Sequence, residues 1–470
     1  MVMKFYNTLT KSLEEFAPLE PGRVRMYNCG PTVYDSQHVG NYRTFSFADT
    51  LRRYLEYRGF KVTQVMNLTD VGHLTQDQVE AGGDKMEEGL RRLREKGVQV
   101  SDPYQVADHF IREFFEDRKK IHLLDAHHHP RATRHVEEMI AMIAKLLKTG
   151  FAYQVGGNVY FEVAKFPAYG KLSGNTIESI KSGARIEPNP EKKHPADFAL
   201  WKTDPNHLMQ FDSPWGRGFP GWHIECSAMS RQYLGDTFDI HTGGEDNIFP
   251  HHECEIAQSE AFTGKPFVKF WIHARHMLWE GKKMSKSEGT FYKLRDLIDR
   301  GYPGDAIRYA LVTTHYRQQV SFSMKSFDDA KGVVGRFREF HDRVAASPDG
   351  PELLTVASAK IKFAEAMDED LNTSGAAGVV HEFVREANRT LDAGKPVPGV
   401  RAAFEGFMSV FGIPLTATLE TPAAVQSLVS AREDARKRKD WKESDRLRDE
   451  IQKLGWIVKD TKDGPKLTKS

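Results

Sequence analysis

Cysteine is scarce in this chain, three residues in 470, and each one stands beside other groups able to do chemistry. Cys29 lies in YNCGPTVYDSQHVGN, nine positions before His38; Cys226 lies in PGWHIECSAM and Cys254 in PHHECE. His251 and Glu255 are four apart, so a helix would turn both side chains to one face. The strand ends of a single sheet could bring Cys226 and Cys29 to that pair, giving an S, S, N, O donor set suited to zinc. An isolated His and Glu at this spacing are commonly just a surface pair. His252 and Cys254 are the rival ligands; on a regular helix starting near His251 they point away, so His252 is expected as a neighbour and Cys254 as a small packed residue. The other histidine cluster, DAHHHP at 125–130, reads as a solvated turn, since three consecutive histidines cannot share one face.

A second stretch, EGKKMSKSEGT at 280–290, alternates lysines with small hydroxyl residues and ends in glycine. That pattern suits a loop presenting ammonium groups to a triphosphate, although a Lys/Ser run is also what a solvated loop looks like.

These groups need elements to hold them. VRMYNCG at 24–30 reads as a strand, Phe47, Leu51, Tyr54 and Leu55 share a helical face that ends at Gly59, and FKVTQVMNLTD at 60–70 reads as the next strand. A βαβ unit implies a parallel sheet, and it sets residues 38–41 at a helix N-terminus, where backbone N–H groups and the helix dipole favour phosphate. From 125 to 214 the pattern changes to a helix, a hairpin turning on Gly156-Gly157 and proline-bearing loops; from 235 to 264 it returns to strand, glycine loop and helix. The middle segment is therefore expected to interrupt one nucleotide-binding domain. Helical patterning follows from 326 to about 412, then the linker TATLETPAA at 416–424. Residues 425–470 hold 13 Lys and Arg against 9 Asp and Glu, a local excess of +4 in a chain of formal net charge +1. Whole-molecule attraction to nucleic acid or membrane is thus excluded, and a local patch must meet any phosphate partner. With 40% hydrophobic and 28% charged residues, no run of 18 apolar residues and no apolar leader in MVMKFYNTLTKSLEEF, a soluble, cytoplasmic chain is expected, its odd cysteine count arguing for reduced thiols.

HVGN after a first strand and KMSKS some 240 residues later together resemble the two signatures of the class I aminoacyl-tRNA synthetases. With YNCGPTVYD, PGWHIECSAM, FDIHTGGEDNIFPHHECEIAQSEA, HYRQQVSFS and the terminal ARKRKDWKESDRLRDEIQKLGWIVKD, the chain from Phe5 onward resembles the cysteinyl-tRNA synthetases. The resemblance implies a Rossmann-type parallel-sheet catalytic domain (1–124 and 215–275) split by a connective insertion (125–214). A KMSKS-bearing stem-contact region (276–325), a helical bundle (326–415) and a small C-terminal anticodon-binding domain (425–470) would follow.

It implies one zinc on Cys29, Cys226, His251 and Glu255 that reads the substrate thiol, with Thr32, Trp222 and His241 lining the cysteine pocket. ATP, with Mg2+, would meet His38, Gly40, Asn41, Gly243, Gly244, Asp246, Lys283 and Lys286; His38, Asn41, Lys283 and Lys286 would act on the phosphates. Gly40 would let the adenine approach, and Arg436, Trp441, Asp445 and Asp463 would read the anticodon. The implied partners are L-cysteine, ATP and tRNA-Cys, the implied state a monomer, with no membrane. The family signature commonly ends in a second histidine where this chain has Asn41, so a cationic imidazole is not available there, though an amide still donates hydrogen bonds. His73 receives no role. Two rivals share parts of the pattern: a ligase joining cysteine to an amino sugar, which would lack the terminal module, and a non-catalytic tRNA-binding paralogue.

Overall fold

The computed structural model describes residues 2–71, 74–76, 81–177, 189–284, 291–345, 353–415, 423–438, 440–461 and 464–469. Two units are present, 1–415 and 416–470.

In the first unit β1 (Arg23–Asn28), α1 (Val39–Tyr57) and β2 (Lys61–Met66) form the expected βαβ, with Val24 opposite Val62 and Asn28 opposite Met66 in parallel register. Phe47, Leu51, Tyr54 and Leu55 are all buried. The chain leaves α1 through Gly59 at φ +88, a left-handed position that suits a residue without Cβ.

The far edge of β2 is taken by the histidine cluster. Backbone bridges join Val65 to His128 and Leu68 to Arg131 in parallel, so DAHHHP is a sheet edge and not the solvated turn that its sequence suggests. His127 and His128 remain exposed, while His129 turns inward, with Nδ1 3.2 Å from the Met66 carbonyl and Nε2 3.1 Å from Arg118.

The interrupting segment contains α2 (Val136–Lys148) and a four-stranded antiparallel sheet of β3 (Ala152–Val155), β4 (Asn158–Phe161), β5 (Phe198–Lys202) and β6 (Phe219–Pro220), in the order β6-β5-β4-β3. Val155 faces Asn158 across the Gly156-Gly157 turn, as expected, and Gly156 takes φ +55. Met139, Phe161 and Trp201 of this segment share one buried cluster with Tyr27, Val65, Cys226 and Trp271, so the insertion packs on one face of the parallel sheet. The opposite face, Val24, Met26, Ile240 and Phe270, packs with α1. Burial on both faces is what a parallel sheet requires.

The chain then returns through α3 (Trp222–Leu234), β7 (Phe238–Gly244), α4 (Glu253–Thr263) and β8 (Val268–Ala274). The parallel sheet has the order β8-β7-β1-β2. His241 lies opposite both Tyr27 and Trp271. Since β1 has its successor β2 on one side and the later β7 on the other, the strand order reverses beside β1. Ligands of doubly wound sheets bind at the carboxyl ends of the strands at such a point.

Beyond it, β9 (Met277–Trp279), β10 (Lys282–Lys283) and β11 (Val320–Phe322) form a small sheet flanking α5 (Gly304–Val312) in sequence. Four helices follow, α6 (Met324–Val344), α7 (Leu354–Asp368), α8 (Thr373–Asp392) and α9 (Val400–Phe411), burying Phe337, Phe363, Phe383, Phe404 and Phe407. No helix among the described residues is long and apolar enough to cross a membrane.

The second unit is small: α10 (Ala423–Lys437), α11 (Trp441–Lys453) and a hairpin of β12 (Trp456–Thr461) and β13 (Gly464–Lys469). Its core is Val425, Ile451, Trp456 and Val458. The buried Arg432 is bidentate to Asp460 at 2.9 and 3.0 Å. Most of the expected linker, 416–422, lies outside the described residues.

Candidate active site

Cys29 follows the last residue of β1, and its N–H donates to the Thr242 carbonyl at 3.2 Å, tying it to β7 at the reversal point. A Cβ on the next residue, Gly30, would overlap the Asn67 carbonyl, so the chain passes only as glycine. Cys226 comes from the second turn of α3, whose start is pressed on β5 at Gly221, where a Cβ would overlap the Ala199 carbonyl.

His251 and Glu255 come from the entry to α4. The ligand atoms of Cys29, Cys226, His251 and Glu255 all lie within 4.8 Å of one another, and all but Cys29 are buried. Glu255 Oε1 sits 2.9 Å from His251 Nε2 yet has no well-aligned donor.

His252 does not point away. Its Nε2 lies 3.2 Å from Cys29 Sγ, and Cys29, His241, His252 and Glu255 form a second close group. The cause is local: residues 248–252 wind as a wide turn with Phe249 in extended conformation (φ −139, ψ 133), so the regular helix begins only at Glu253 and the helical spacing of 100° per residue does not apply before it. Cys254 is buried elsewhere, 3.5 Å from the Tyr169 hydroxyl, as expected.

The electrostatics suit a cation. Burial opposes the charge of Glu255, but His241 and His251 outweigh it and hold the carboxyl at about 2. Burial likewise opposes a proton on His251, and Glu255 and Cys226 push it up to about 10. The hydrogen bond with Cys29, together with burial and the Glu255 charge, drives the Cys226 thiol well above its ordinary range. Two thiols beside a buried carboxylate thus hold their protons until a positive charge replaces them, and this soft-and-borderline donor set is the kind zinc accepts. The donor set therefore fits the metal.

Trp222, half-buried, lies against His251 with ring centroids 4.2 Å apart, and His223 Nδ1 approaches His251 Nδ1 at 2.8 Å. His241 is fully buried, 3.0 Å from Glu255 Oε2 and stacked on Trp271. Thr32 sits in the loop between Cys29 and His38, half-buried, with its carbonyl accepting from Gln37 at 3.1 Å.

The α1 N-terminus is closed by a reciprocal pair. His38 Nδ1 accepts the Asn41 N–H at 3.2 Å and Asn41 Oδ1 accepts the His38 N–H at 3.1 Å. His38 therefore carries its ring proton on Nε2, and Asn41 keeps its Nδ2 protons for other acceptors. A Cβ at Gly40 would come within 2.9 Å of both the His38 ring and the Met284 methyl. The signature glycine is thus crowded by the protein's own side chains, one of which must shift to admit a Cβ, and nothing in the sequence spacing marks Met284.

The first signature also meets the chain just beyond the second, where the Val39 N–H donates to the Tyr292 carbonyl at 3.0 Å. Lys283 is exposed on β10, opposite Leu278. Lys286 and His73 lie outside the described residues. Gly243 and Gly244 end β7; a Cβ on Gly243 would approach His252 to 2.7 Å, and one on Gly244 would overlap the carboxylate of the exposed Asp246.

Residues 15–332 match the class I (C) tRNA synthetase catalytic domain, 362–416 the DALR domain and 418–465 the cysteinyl-tRNA ligase anticodon binding domain. The cysteine–tRNA ligase of Symbiobacterium thermophilum is 43% identical over 492 residues, covering 99% of each chain. The chain belongs to the cysteine–tRNA ligase family.

Other members of the cysteine–tRNA ligase family include that of Caldicellulosiruptor saccharolyticus, 42% identical over 99% of each chain. A solved methionyl-tRNA synthetase from Mycobacterium tuberculosis, bound by methionyl-adenylate, has a TM-score of 0.56 at 12% identity, covering 83% of this chain and 89% of that one; the class I synthetase fold is shared. In this chain the unit that matches the anticodon binding domain presents Trp441, 58% exposed, with the Arg436 guanidinium 5.8 Å from its ring centre. Arg436 is itself held 3.1 Å from Asp460, and Asp445 is exposed one turn beyond Trp441. Asp463 lies outside the described residues.

Proposed function

We propose that the chain activates L-cysteine with ATP and recognises its thiol through zinc held by Cys29, Cys226, His251 and Glu255. When bound there, zinc would supply a Lewis-acid position that accepts a thiolate and discriminates against a hydroxyl or a methyl, which a merely apolar pocket separates by only about 1–3 kcal/mol. The close donor cluster, together with an α1 N-terminus capped by His38 and Asn41, is the observation that carries this reading.

The other residues position and neutralise. Trp222 and His241 flank the thiol end, and Thr32 faces the amine. The substrate carboxylate attacks the α-phosphorus of ATP and the bond to pyrophosphate breaks. His38 Nε2–H and the Asn41 amide donate to phosphate oxygens, Lys283 and Lys286 meet the charge developing on pyrophosphate, and Mg2+ accompanies the nucleotide. Gly40 lies beside the adenine, while Gly243, Gly244 and Asp246 take the ribose. A terminal ribose hydroxyl of tRNA-Cys then attacks the activated carbonyl and AMP leaves.

Arg436, Trp441, Asp445 and Asp463 read the anticodon. The six-part division expected from sequence, a monomeric state and a cytoplasmic setting belong to the same proposal. Cysteine-dependent exchange of pyrophosphate into ATP, with elemental analysis of the same sample, tests it. One zinc per chain with exchange strictly dependent on cysteine is expected; exchange at full rate in protein free of zinc would overturn the thiol-recognition reading.

A further inference from the structure

A buried hydrogen-bond chain runs from the metal cluster to the first strands of the protein. His252 Nε2 lies 3.2 Å from Cys29 Sγ, His252 Nδ1 lies 2.8 Å from His273 Nε2, and His273 Nδ1 lies 2.8 Å from Thr8 Oγ1. His252 is completely buried and His273 is 6% exposed. His273 belongs to β8 opposite Gly243, the glycine whose added Cβ would strike His252. The Thr8 N–H donates to the Trp271 carbonyl at 2.8 Å, which fixes the hydroxyl against the sheet. Thr8 lies more than 200 residues from the two histidines in sequence, and none of the three belongs to the set proposed above to hold the metal.

We infer that His252, His273 and Thr8 are positioning residues that aim an N–H at the sulfur of Cys29 and so set how strongly the metal centre takes the substrate thiol; this rests on the zinc reading of the cluster. The direction of the chain follows from valence. A metal-bound thiolate has no proton to give, so His252 must present Nε2–H to it. A neutral imidazole carries one N–H, which leaves His252 Nδ1 as an acceptor for His273 Nε2–H. His273 Nδ1 is then also an acceptor, and only a group able to donate can end the chain. Thr8 supplies that O–H, whereas an apolar side chain of the same shape would leave a buried nitrogen unsatisfied. An N–H bonded to Cys29 sulfur withdraws electron density from it, which leaves the ion more acidic toward an incoming thiolate. Such outer partners are usually worth tenfold to a hundredfold in metal affinity or activity.

The test uses the full-length protein and three variants. Thr8→Val removes the terminal donor, His252→Phe removes the N–H at Cys29 while keeping a ring, and His252→Gln keeps an amide donor. Zinc content, the rate of zinc release to a chelator, the sulfur-to-metal charge-transfer band of the cobalt-substituted protein, and KM against kcat in pyrophosphate exchange are measured on each.

Thr8→Val and His252→Phe are expected to retain zinc, shift the cobalt band and raise the KM for cysteine on the order of tenfold with the KM for ATP unchanged. His252→Gln is expected to restore most of the affinity, which a purely space-filling histidine would not require. Histidine nitrogen NMR of the parent protein is expected to find both rings protonated at Nε2. An unshifted band and a parental KM for cysteine in Thr8→Val would overturn the inference even if His252→Phe failed to fold. A parental protein without zinc would instead overturn the reading of the cluster, and this inference with it.

Discussion

Asn41 and His38 satisfy each other's backbone N–H through their side chains, at 3.1 and 3.2 Å, on the first turn of α1. The amide closes the helix with its oxygen, and in the function proposed above its nitrogen donates to phosphate. Asn41→Asp separates the two roles. The cap acceptor survives and a negative charge at a helix N-terminus is favourable, so the melting temperature should change little. The charge opposes the triphosphate, so the KM for ATP should rise by at least tenfold. A variant with parental ATP kinetics would show that Asn41 is a cap and nothing more.

A Cβ at position 40 would press on both the His38 ring and the Met284 methyl, so substitution of Gly40 should couple to a residue of the second signature. Gly40→Ala should lower exchange by about tenfold or more despite the gain of about 1 kcal/mol that alanine brings to a helix. Met284→Ala in the same chain should return part of the loss, since it vacates one of the two contacts. Strictly additive losses in a double-mutant cycle would deny the contact.

The sulfur positions should separate cleanly. On the zinc reading proposed above, Cys226→Ser replaces a ligand atom with a poor one, and elemental analysis should find the zinc depleted. Cys254, packed against Tyr169, contributes no ligand atom, so Cys254→Ser should keep both zinc and exchange activity.

His129 predicts a pH dependence of stability. Burial and the neighbouring Arg118 hold its folded value down at about 4, against an unfolded value of about 6.5. A depressed histidine leaves the unfolded chain binding more protons below pH 6.5, so stability is present above that value and is lost as the pH falls toward 4. Between pH 7 and pH 5 the loss from this residue should be on the order of 1–2 kcal/mol, and His129→Gln, which keeps a donor for Met66 and an acceptor for Arg118, should flatten the decline in melting temperature. His122, also pushed down to about 4 by burial and the nearby Arg308, adds to the same trend.

The second unit should serve tRNA and not the amino acid. Truncation after Pro422 should leave cysteine-dependent exchange nearly intact and weaken charging of tRNA. Trp441→Ala should reproduce part of that loss, roughly 1–3 kcal/mol if one base stacks on the ring. Unimpaired charging by the truncated chain would identify the unit as a solvated appendage.

The βαβ unit, the Gly156-Gly157 hairpin and the facing of His251 toward Glu255 were legible because each rests on local spacing. His252 was not, since a wide turn at 248–252 changes the angle per residue before α4 begins. The edge role of DAHHHP depends on β2 offering its free backbone groups some 60 residues earlier, and no local pattern announces a parallel partner. The closeness of Met284 to the space a Cβ at Gly40 would fill and the contact of Thr8 with His273 have the same character: each joins residues that only the assembled fold brings together.

The order β8-β7-β1-β2 also has a history in time. During synthesis β1 finds β2 at once, but its other neighbour, β7, begins at Phe238, about 170 residues after Met66, a wait of roughly 10–35 s at 5–20 residues per second. For that interval one long edge of β1 and the backbone N–H of Cys29 beyond it have no partner from β7. The α2 and β3–β6 segment emerges in between, and it packs on the very face that contains Tyr27 and Val65. The interruption therefore arrives as a cover for one face of a half-built sheet before the second half of the nucleotide fold exists.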